Sequence, residues 1–405
     1  MADRDHASCD AGALIGARLG RESAPDAVGL VETAAGVEDQ TGLSPQRIVF
    51  RGDGTFLKTL RGRVDAHFAG RRRCGDPRLQ RKALVIAAWF AASYGLLLAS
   101  QSVWTQLVLC VSYALAACAL AFNVFHDTHH GAFSCSKRVN AVLGRLTCIV
   151  LGPARHFWWQ KHHLLHHRFT NIFKWDDDVE SRGYLRLSPR QPWRPKYRHQ
   201  HRFFSLLYAL NTLEWFFVKD FVQYFSQRVN PYQPAPAMTR NEKLEFWLCK
   251  AAYFGGFVAL PFLFLPAPRV VVGLLLFHVV MSLSLTLVFQ LAHLTETAEF
   301  PVPTGTPITI EDEWAAHQMR TTTNFAMTNP LVNWFTGGLN FQIEHHLFPH
   351  ISHTHYPDIS AIVRRTAREF GLPYNTHHGF VDAVRSHYRM VRELAAEPHL
   401  AAAAA

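Results

Sequence analysis

Three short histidine clusters contain the residues of this chain that are best suited to metal chemistry. They are His126-Asp-Thr-His129-His130, His162-His163-Leu-Leu-His166-His167 and Gln342-Ile-Glu-His345-His346. Imidazole is a neutral nitrogen ligand that suits iron, zinc, copper and nickel. A structural zinc ion takes four ligands, and the clusters offer more histidines than that. They therefore predict a site that holds two metal ions.

The spacing within the clusters predicts which rings point the same way. On an α-helix, residues three or four apart lie on one face. This rule groups His126 with His130, and His163 with His166 and His167. Neighbouring residues on a helix point in different directions, so the histidine doublets of the second and third clusters can each serve two metal ions.

Carboxylates lie close to each cluster along the chain. A metal-bound histidine usually donates its second ring N–H to a carboxylate or a carbonyl, so we expect nearby acids to orient the ligands. The nearby acids are Asp127, the run Asp176-Asp177-Asp178 and Glu344, and of these we take Asp127, Asp177, Asp178 and Glu344 as the predicted partners. By contrast, the isolated His278 lies within a hydrophobic run, and we expect it to be packed or hydrogen-bonded rather than a ligand.

Four hydrophobic runs separate or flank the clusters. A helix needs roughly 20 apolar residues to cross a bilayer, and the runs cover residues 83–100, 103–125, 246–265 and 270–292. Short breaks join them into two hairpins. We therefore predict an all-α integral membrane protein with four transmembrane helices and a helical cap that carries the di-metal site. Such a site beside a membrane favours oxidative chemistry on a lipid.

The distribution of charge predicts how the protein is oriented in the membrane. The formal net charge is +10, and among the lysines and arginines only Arg269 lies on a hairpin tip. The positive-inside rule places the opposite side, with both termini, in the cytoplasm. The three clusters and His293 then share that face. Basic cytoplasmic loops explain the charge better than nucleic-acid binding does.

The remaining segments define the domain organisation. Residues 1–45 have no apolar core of the kind found in secretory signals and predict a loose tail. Residues 46–395 are predicted to form one membrane domain, and residues 396–405 a low-complexity tail. The run 203–225 mixes apolar and charged residues and predicts an amphipathic helix on the membrane surface. The seven cysteines are scattered and odd in number, which predicts reduced thiols.

These motifs resemble those of the membrane fatty acid desaturases with three histidine boxes. The most specific match is the third box, Phe341-Gln-Ile-Glu-His-His-Leu-Phe-Pro. A glutamine stands at the position of this box's first histidine, and this substitution resembles the pattern of the front-end and linoleoyl-type branch. The stretches that begin at Lys161, Phe289 and Trp314 also look like sequences of this branch. The resemblance runs from about residue 45 to about residue 390.

The resemblance implies two iron ions, cycling between Fe2+ and Fe3+, with O2 as co-substrate. Either His162 or His163 could be the first histidine of the second box. We take His163 and keep His162 as a candidate ligand. His129 and Gln342 are further candidates, although an amide is a weaker donor than an imidazole. The implied ligands are His126, His130, His163, His166, His167, His293, His345 and His346.

The same resemblance implies an acyl desaturase. Such an enzyme uses O2 and two electrons to remove two hydrogens from a long acyl chain, leaving a double bond, expected to be cis, and water. The chain can be carried as an acyl-CoA, an acyl-lipid or on a carrier protein. Many front-end relatives carry a fused cytochrome domain with His-Pro-Gly-Gly, which does not occur in this sequence. We therefore expect a separate electron donor, such as a ferredoxin, a free cytochrome or a reductase.

Other functions remain open at this point. A hydroxylase, an acetylenase or a sphingolipid desaturase would share the di-iron scaffold and differ in substrate placement. A membrane zinc hydrolase would need fewer histidines and a place for an activated water. A metal transporter would hold its ligands within the membrane along a pathway, whereas these clusters lie outside the hydrophobic runs.

Overall fold

Four long helices contain the predicted hydrophobic runs. The computed structural model describes residues 48–397. Among these residues, four helices are long and apolar enough to cross a membrane, which confirms the predicted four-helix architecture. We name them the first to fourth spans, in chain order: Pro77–Ala99, Val103–His129, Arg240–Leu263 and Ala267–His293.

The ends of the first hairpin follow the capping preferences of helices. The side chain of Asp76 accepts a hydrogen bond from the backbone N–H of Arg78, and Pro77 occupies the first helical position. Aspartate as N-cap and proline at the first position start the span ahead of its apolar run. Ser102 caps the second span in the same way. The second span packs against both the first and the fourth.

Two of the spans are not uniform α-helices. Each contains a turn of π-helix, in which backbone hydrogen bonds run between residues five apart. The third span also ends in a 3-10 turn. The consecutive pieces are Val103–Leu120, Ala121–Phe125 and His126–His129 in the second span, and Arg240–Tyr253, Phe254–Ala259 and Leu260–Leu263 in the third.

The stretch between the two hairpins is helical but interrupted. It includes the run predicted as one amphipathic helix, and we call Gln200–Ser226 the interfacial segment. This segment packs along the fourth span. Its pieces are Gln200–Ala209, Asn211–Glu214, Trp215–Lys219 and Asp220–Ser226.

The remaining helices are shorter. A separate hydrophobic core, which includes Phe341, Ile343 and Leu347, anchors the third histidine cluster. Two small parallel sheets pair Val49–Phe50 with Thr309–Ile310, and Asn324–Phe325 with Thr376–His377. The helices are Thr55–His67, Lys137–Leu151, Arg155–Trp159, Gln160–His166, His167–Phe169, Asp177–Val179, Pro195–Tyr197, Trp314–Thr321, Pro330–Phe335, Gln342–Leu347, His353–His355, Tyr356–Glu369 and Phe380–Ala395.

The prediction of reduced cysteines is wrong for one pair. Cys74, just before the first span, and Cys135, just after the first histidine cluster, form a disulfide. The fold packs these two segments side by side, which scattered positions in the sequence do not reveal. Cys110, Cys118, Cys148 and Cys249 are free and buried, as predicted.

The predicted tails fall largely outside the described part of the chain. This applies to the whole of residues 1–45 and to residues 398–405. The boundaries proposed for the membrane domain at residues 46 and 395 therefore stay predictions.

Candidate metal centre

Two of the three histidine clusters are associated with π-helical turns. The turn Ala121–Phe125 ends directly before His126, and Gln160–His166 is itself π-helical. Because a π-helix has wider turns than an α-helix, residues four and five apart share a face. In the second cluster this pairs His162, rather than His163, with the doublet that follows.

Four rings form the first group of the site: His126, His130, His162 and His345. Nε2 of His162 lies 3.2 Å from Nε2 of His126 and 3.0 Å from Nε2 of His130. It also lies 3.2 Å from Nε2 of His167. Two ring nitrogens that bind one metal at about 2.1 Å, at right angles or tetrahedrally, lie about 3.0–3.4 Å apart. The observed spacing therefore fits nitrogens that share a metal ion.

Three further rings form the second group: His166, His293 and His346, whose donor atoms lie within 4.8 Å of one another. The Nε2 atoms of His293 and His346 are buried without a hydrogen-bond partner. Nε2 of His345, in the first group, is in the same situation. Leaving a buried polar atom unpaired costs free energy, and a bound metal would remove that cost.

The histidine doublets divide between the two groups, as their geometry on a helix predicts. His345 belongs to the first group and His346 to the second. His166 belongs to the second group, while His167 lies beside the first. The ring centroids of His167 and His346 are only 4.4 Å apart. The two groups are therefore adjacent, as a two-metal centre requires.

Three other candidate ligands lie outside these groups. The ring of His163 belongs to neither group; its centroid lies 4.2 Å from that of His130 and 5.6 Å from that of Trp159, and its buried Nε2 atom has no hydrogen-bond partner. The Nδ1 atom of His129 lies 2.7 Å from the carbonyl oxygen of Phe125 and donates to it. Gln342 is buried, and its amide nitrogen has no hydrogen-bond partner.

Asp176, the first acid of the run that follows the second cluster, holds one of the ligands. Nδ1 of His166 lies 3.1 Å from a carboxylate oxygen of Asp176, to which it donates. It also lies 3.3 Å from an oxygen of Asp178, one of the predicted partners. Asp176 is fully buried and accepts hydrogen bonds from the backbone N–H groups of Asn171 and Asp178. The chain thus folds tightly around Asp176, which fixes the His166 ring.

Uncharged groups hold three more of the ligand rings. Each accepts a hydrogen bond from the Nδ1–H group of its ring, so that Nε2 is left to face a metal. Amides, hydroxyls and carbonyls are too common in a sequence to be singled out. The one available signal is that Gln318 lies in the family-like stretch beginning at Trp314. The pairs are His346 with Gln318 (2.8 Å), His345 with the Tyr356 hydroxyl (3.3 Å) and His293 with the carbonyl of Thr321 (3.3 Å).

Asp127 lies beside the first group. One carboxylate oxygen is 3.8 Å from Nδ1 of His126. The other accepts a hydrogen bond from Nδ1 of His353 at 2.8 Å. His353 thus contacts Asp127 and belongs to neither group of rings.

Two predicted acids have different partners from those expected. Asp177 lies on a 3-10 turn that directs it away from the rings, and it accepts a hydrogen bond from Lys219 at 2.7 Å. Glu344 precedes the third doublet but points to another side of its helix, where it accepts a hydrogen bond from Tyr374 at 2.7 Å. Burial raises the pKa of Glu344 to about 7. Neither acid orients a ring of the two groups.

Burial keeps most of the rings neutral. The pKa values of His162, His167 and His346 lie well below the usual range, chiefly because burial disfavours the charged form. Neutral imidazole is the form that binds a metal. For His166, burial lowers the pKa, but the charges of Asp176 and Asp178 outweigh it and raise the pKa above its ordinary value.

His278, within the fourth span, belongs to neither group. Its Nδ1 atom lies 2.9 Å from Oγ1 of Thr212, and its Nε2 atom lies 3.3 Å from the hydroxyl of Tyr253. These contacts confirm the prediction of a packed, hydrogen-bonded histidine.

Two cavities open beside the histidine groups. The larger, of about 350 Å³, reaches His162 and has polar residues in part of its wall. The smaller, of about 40 Å³, reaches His126 and is otherwise lined by apolar residues. The two cavities have four wall residues in common: Trp158, Trp215, Leu285 and Phe289.

Comparisons with known proteins agree with the histidine pattern. The family model for fatty acid desaturases matches residues 102–378, which include every histidine of the two groups. The sn-1 linoleoyl-lipid 6-desaturase of Synechocystis sp. is 34% identical over 360 residues, covering 87% of this chain and 99% of that protein. The protein of the same name from Arthrospira platensis is 32% identical over 347 residues (85% and 93% covered). The acyl-lipid (8-3)-desaturase of Mortierella alpina is 31% identical over 360 residues (86% and 80%).

Proposed function

This chain belongs to the fatty acid desaturase family and is a multi-pass membrane acyl desaturase; we propose that its active site is the pair of histidine groups and that it works with O2 and two iron ions. The observation that carries the proposal is the convergence of buried rings from three distant clusters and the fourth span beside two adjacent cavities.

We assign one iron ion to each group of rings. The nitrogen spacing around His162 and the buried, unpaired Nε2 atoms support this fit. When bound, the iron pair would supply the oxidising chemistry that removes hydrogen from an acyl chain. His129, His163 and Gln342 are not ligands in this assignment. The ligands are His126, His130, His162, His167 and His345 for one iron, and His166, His293 and His346 for the other.

The protein's own task is to hold the acyl chain at a fixed depth and to exclude water. We assign the chain a path through the larger cavity, past His162 and His126, and into the smaller one. The shared walls supply the apolar contact that such a chain needs. Lys161 and Lys219 line the polar part of the larger cavity, where they pair with Asp177 and Asp178.

We propose that the substrate is an already unsaturated chain esterified in a membrane lipid, and that the new cis double bond forms on its carboxyl side. The similar proteins from Synechocystis sp. and Arthrospira platensis are both named sn-1 linoleoyl-lipid 6-desaturases, which supports this choice. The glutamine at position 342 supports it as well, since it resembles the front-end branch.

We further propose that the site faces the cytoplasm, together with both termini, and receives electrons from a separate donor protein. The excess of basic residues on that side supports the orientation. The same charge would favour an acidic donor, such as a ferredoxin or a free cytochrome.

A lipid profile tests the proposed function. The chain is expressed in a host without polyunsaturated lipids, together with a ferredoxin and its reductase, and is supplied with saturated, mono- and diunsaturated acyl chains. Gas chromatography and mass spectrometry of the lipids should show one new double bond, absent from a His345→Ala control. A hydroxylated or acetylenic product would instead identify another reaction of the same scaffold. A profile identical to that of the control would contradict the proposal.

A change at Gln318 tests the proposed metal assignment through a residue that is not a ligand. Gln318→Leu removes the acceptor for Nδ1–H of His346, and we expect iron affinity to fall about 10- to 100-fold. Gln318→Glu keeps an acceptor oxygen and should retain most of the iron. Iron binding is measured by titrating the metal-free protein in detergent. Equal affinity in wild type and Gln318→Leu would contradict the assigned role.

A further inference from the structure

A buried ion pair joins the third span to the interfacial segment. Nζ of Lys250 lies 2.6 Å from Oδ2 of Asp220, and the side chains are only 2% and 0% exposed. Lys250 also donates to the carbonyl oxygens of Gly152 and Phe216. The cost of burying two charges often exceeds their attraction, so such a pair is weak evidence for stability. An ionisable residue within a membrane span more often marks a functional site.

The carboxylate of this pair also holds a tryptophan. The indole N–H of Trp215 donates to Oδ1 of Asp220 at 3.0 Å. The other oxygen, Oδ2, accepts a hydrogen bond from the backbone N–H of Ala154 at 2.9 Å, in addition to the contact with Lys250. Every oxygen of Asp220 is therefore engaged, and its position cannot change without moving Trp215.

The side chain of Lys161, which lies towards the metal site, contacts the ring of the same tryptophan. Nζ of Lys161 lies 5.5 Å from the centre of the Trp215 ring, within the range of a cation–π contact. The same ammonium is 2.7 Å from a carboxylate oxygen of Asp178, whose other oxygen is near His166. Trp215 is thus fixed at its nitrogen by a buried carboxylate and linked through its ring to the surroundings of a metal ligand.

Trp215 forms part of the wall of both cavities. The larger cavity reaches the first group of rings at His162, and the smaller reaches it at His126. A chain that extended from one cavity into the other would run along the wall residues that they share, and Trp215 is one of these. The position of this indole therefore affects which carbon of the chain lies beside the rings.

We propose that the buried Lys250–Asp220 pair is a positioning device, which fixes Trp215 between the two cavities so that one carbon of the acyl chain is selected. Trp215 is the residue that determines specificity, and the two charged residues act through it. This inference rests on the proposed desaturase function. It assigns a role in regioselectivity to a charge pair that lies far from the ligands in sequence.

Two variants with different structural consequences test the inference. Trp215→Phe keeps the ion pair and removes the indole N–H and part of the wall. The double variant Lys250→Met with Asp220→Leu removes both charges together, a replacement that is often neutral or stabilising for a buried pair, and it leaves Trp215 without its acceptor. Tyr94→Phe is the matched control, since it removes another intramembrane hydrogen bond to the third span, to the carbonyl of Gly256, away from both cavities.

The measured quantity is the distribution of double-bond positions, together with iron content and the amount of protein in the membrane. We expect both variants to keep their iron and to spread the product over neighbouring positions. Selectivity should fall about 10- to 100-fold, since an error of about 1 Å in placement has effects of this size. The Tyr94→Phe control should keep the wild-type position.

The other possible results each contradict a specific part of the account. A double variant that accumulates, binds iron and keeps the wild-type product overturns the role of the pair. If the double variant does not accumulate, Trp215→Phe decides alone, and an unchanged distribution overturns the inference. A wild-type protein that makes no new double bond contradicts the proposed function itself, so the two failures are distinguishable.

Discussion

The His162→Ala variant is expected to lose desaturase activity and at least one of its two iron ions, while His163→Ala keeps both ions. Nε2 of His162 lies within 3.2 Å of ring nitrogens of His126, His130 and His167, so its removal takes a donor from the centre of the first group. The His163 ring packs between His130 and Trp159 and belongs to neither group of donor atoms. Iron per chain and new double bonds in the lipid profile are measured for both variants.

The two adjacent histidines are matched controls for each other. They have the same side chain and the same surroundings in the sequence, and only the π-helical turn distinguishes them. Loss of iron in His163→Ala with full retention in His162→Ala would show that the ring assignment is reversed. Equal loss in both variants would mean that the second cluster supplies one more ligand than we assign.

The Asp176→Asn variant is expected to lose about 10- to 100-fold in iron affinity or activity, an effect typical of groups that orient a metal ligand. Both oxygens of Asp176 accept hydrogen bonds, from His166 and from the backbone N–H groups of Asn171 and Asp178. An asparagine would turn an NH2 group towards one of these donors, so the His166 ring would lose its fixed orientation. Metal titration and product formation are both measured.

Asp177→Asn is the matched control for this change. Asp177 is the next residue and equally acidic, but its carboxylate contacts Lys219 and Lys161 rather than a ring. We expect this variant to bind iron with nearly wild-type affinity. A larger loss of affinity in Asp177→Asn than in Asp176→Asn would contradict the orienting role of Asp176.

The spans and the histidine clusters were predictable because their signals are local. A run of apolar residues such as 270–292 predicts a membrane helix without any knowledge of its neighbours. Clustered histidines indicate a metal site by their type alone. The division of each doublet between two groups also follows from local helix geometry, and His345 and His346 conform to it.

The remaining features depend on backbone form and on contacts between distant segments. The α-helical spacing favours His163, whereas the π-turn at Gln160–His166 brings His162 to the face that the doublet shares. Gln318 contacts His346 from a different helix, and Cys74 meets Cys135 across 61 residues. A single sequence contains no local pattern that reports such contacts.

The metal content of the purified wild-type protein tests the central claim most directly. The chain is expressed in iron-supplemented cells, extracted in mild detergent and analysed for iron, zinc, copper and nickel per polypeptide. The account predicts two iron ions per chain, with both lost or reduced when the ligand histidines are replaced. One zinc ion per chain, or no iron in a protein that is folded in the membrane, would contradict it.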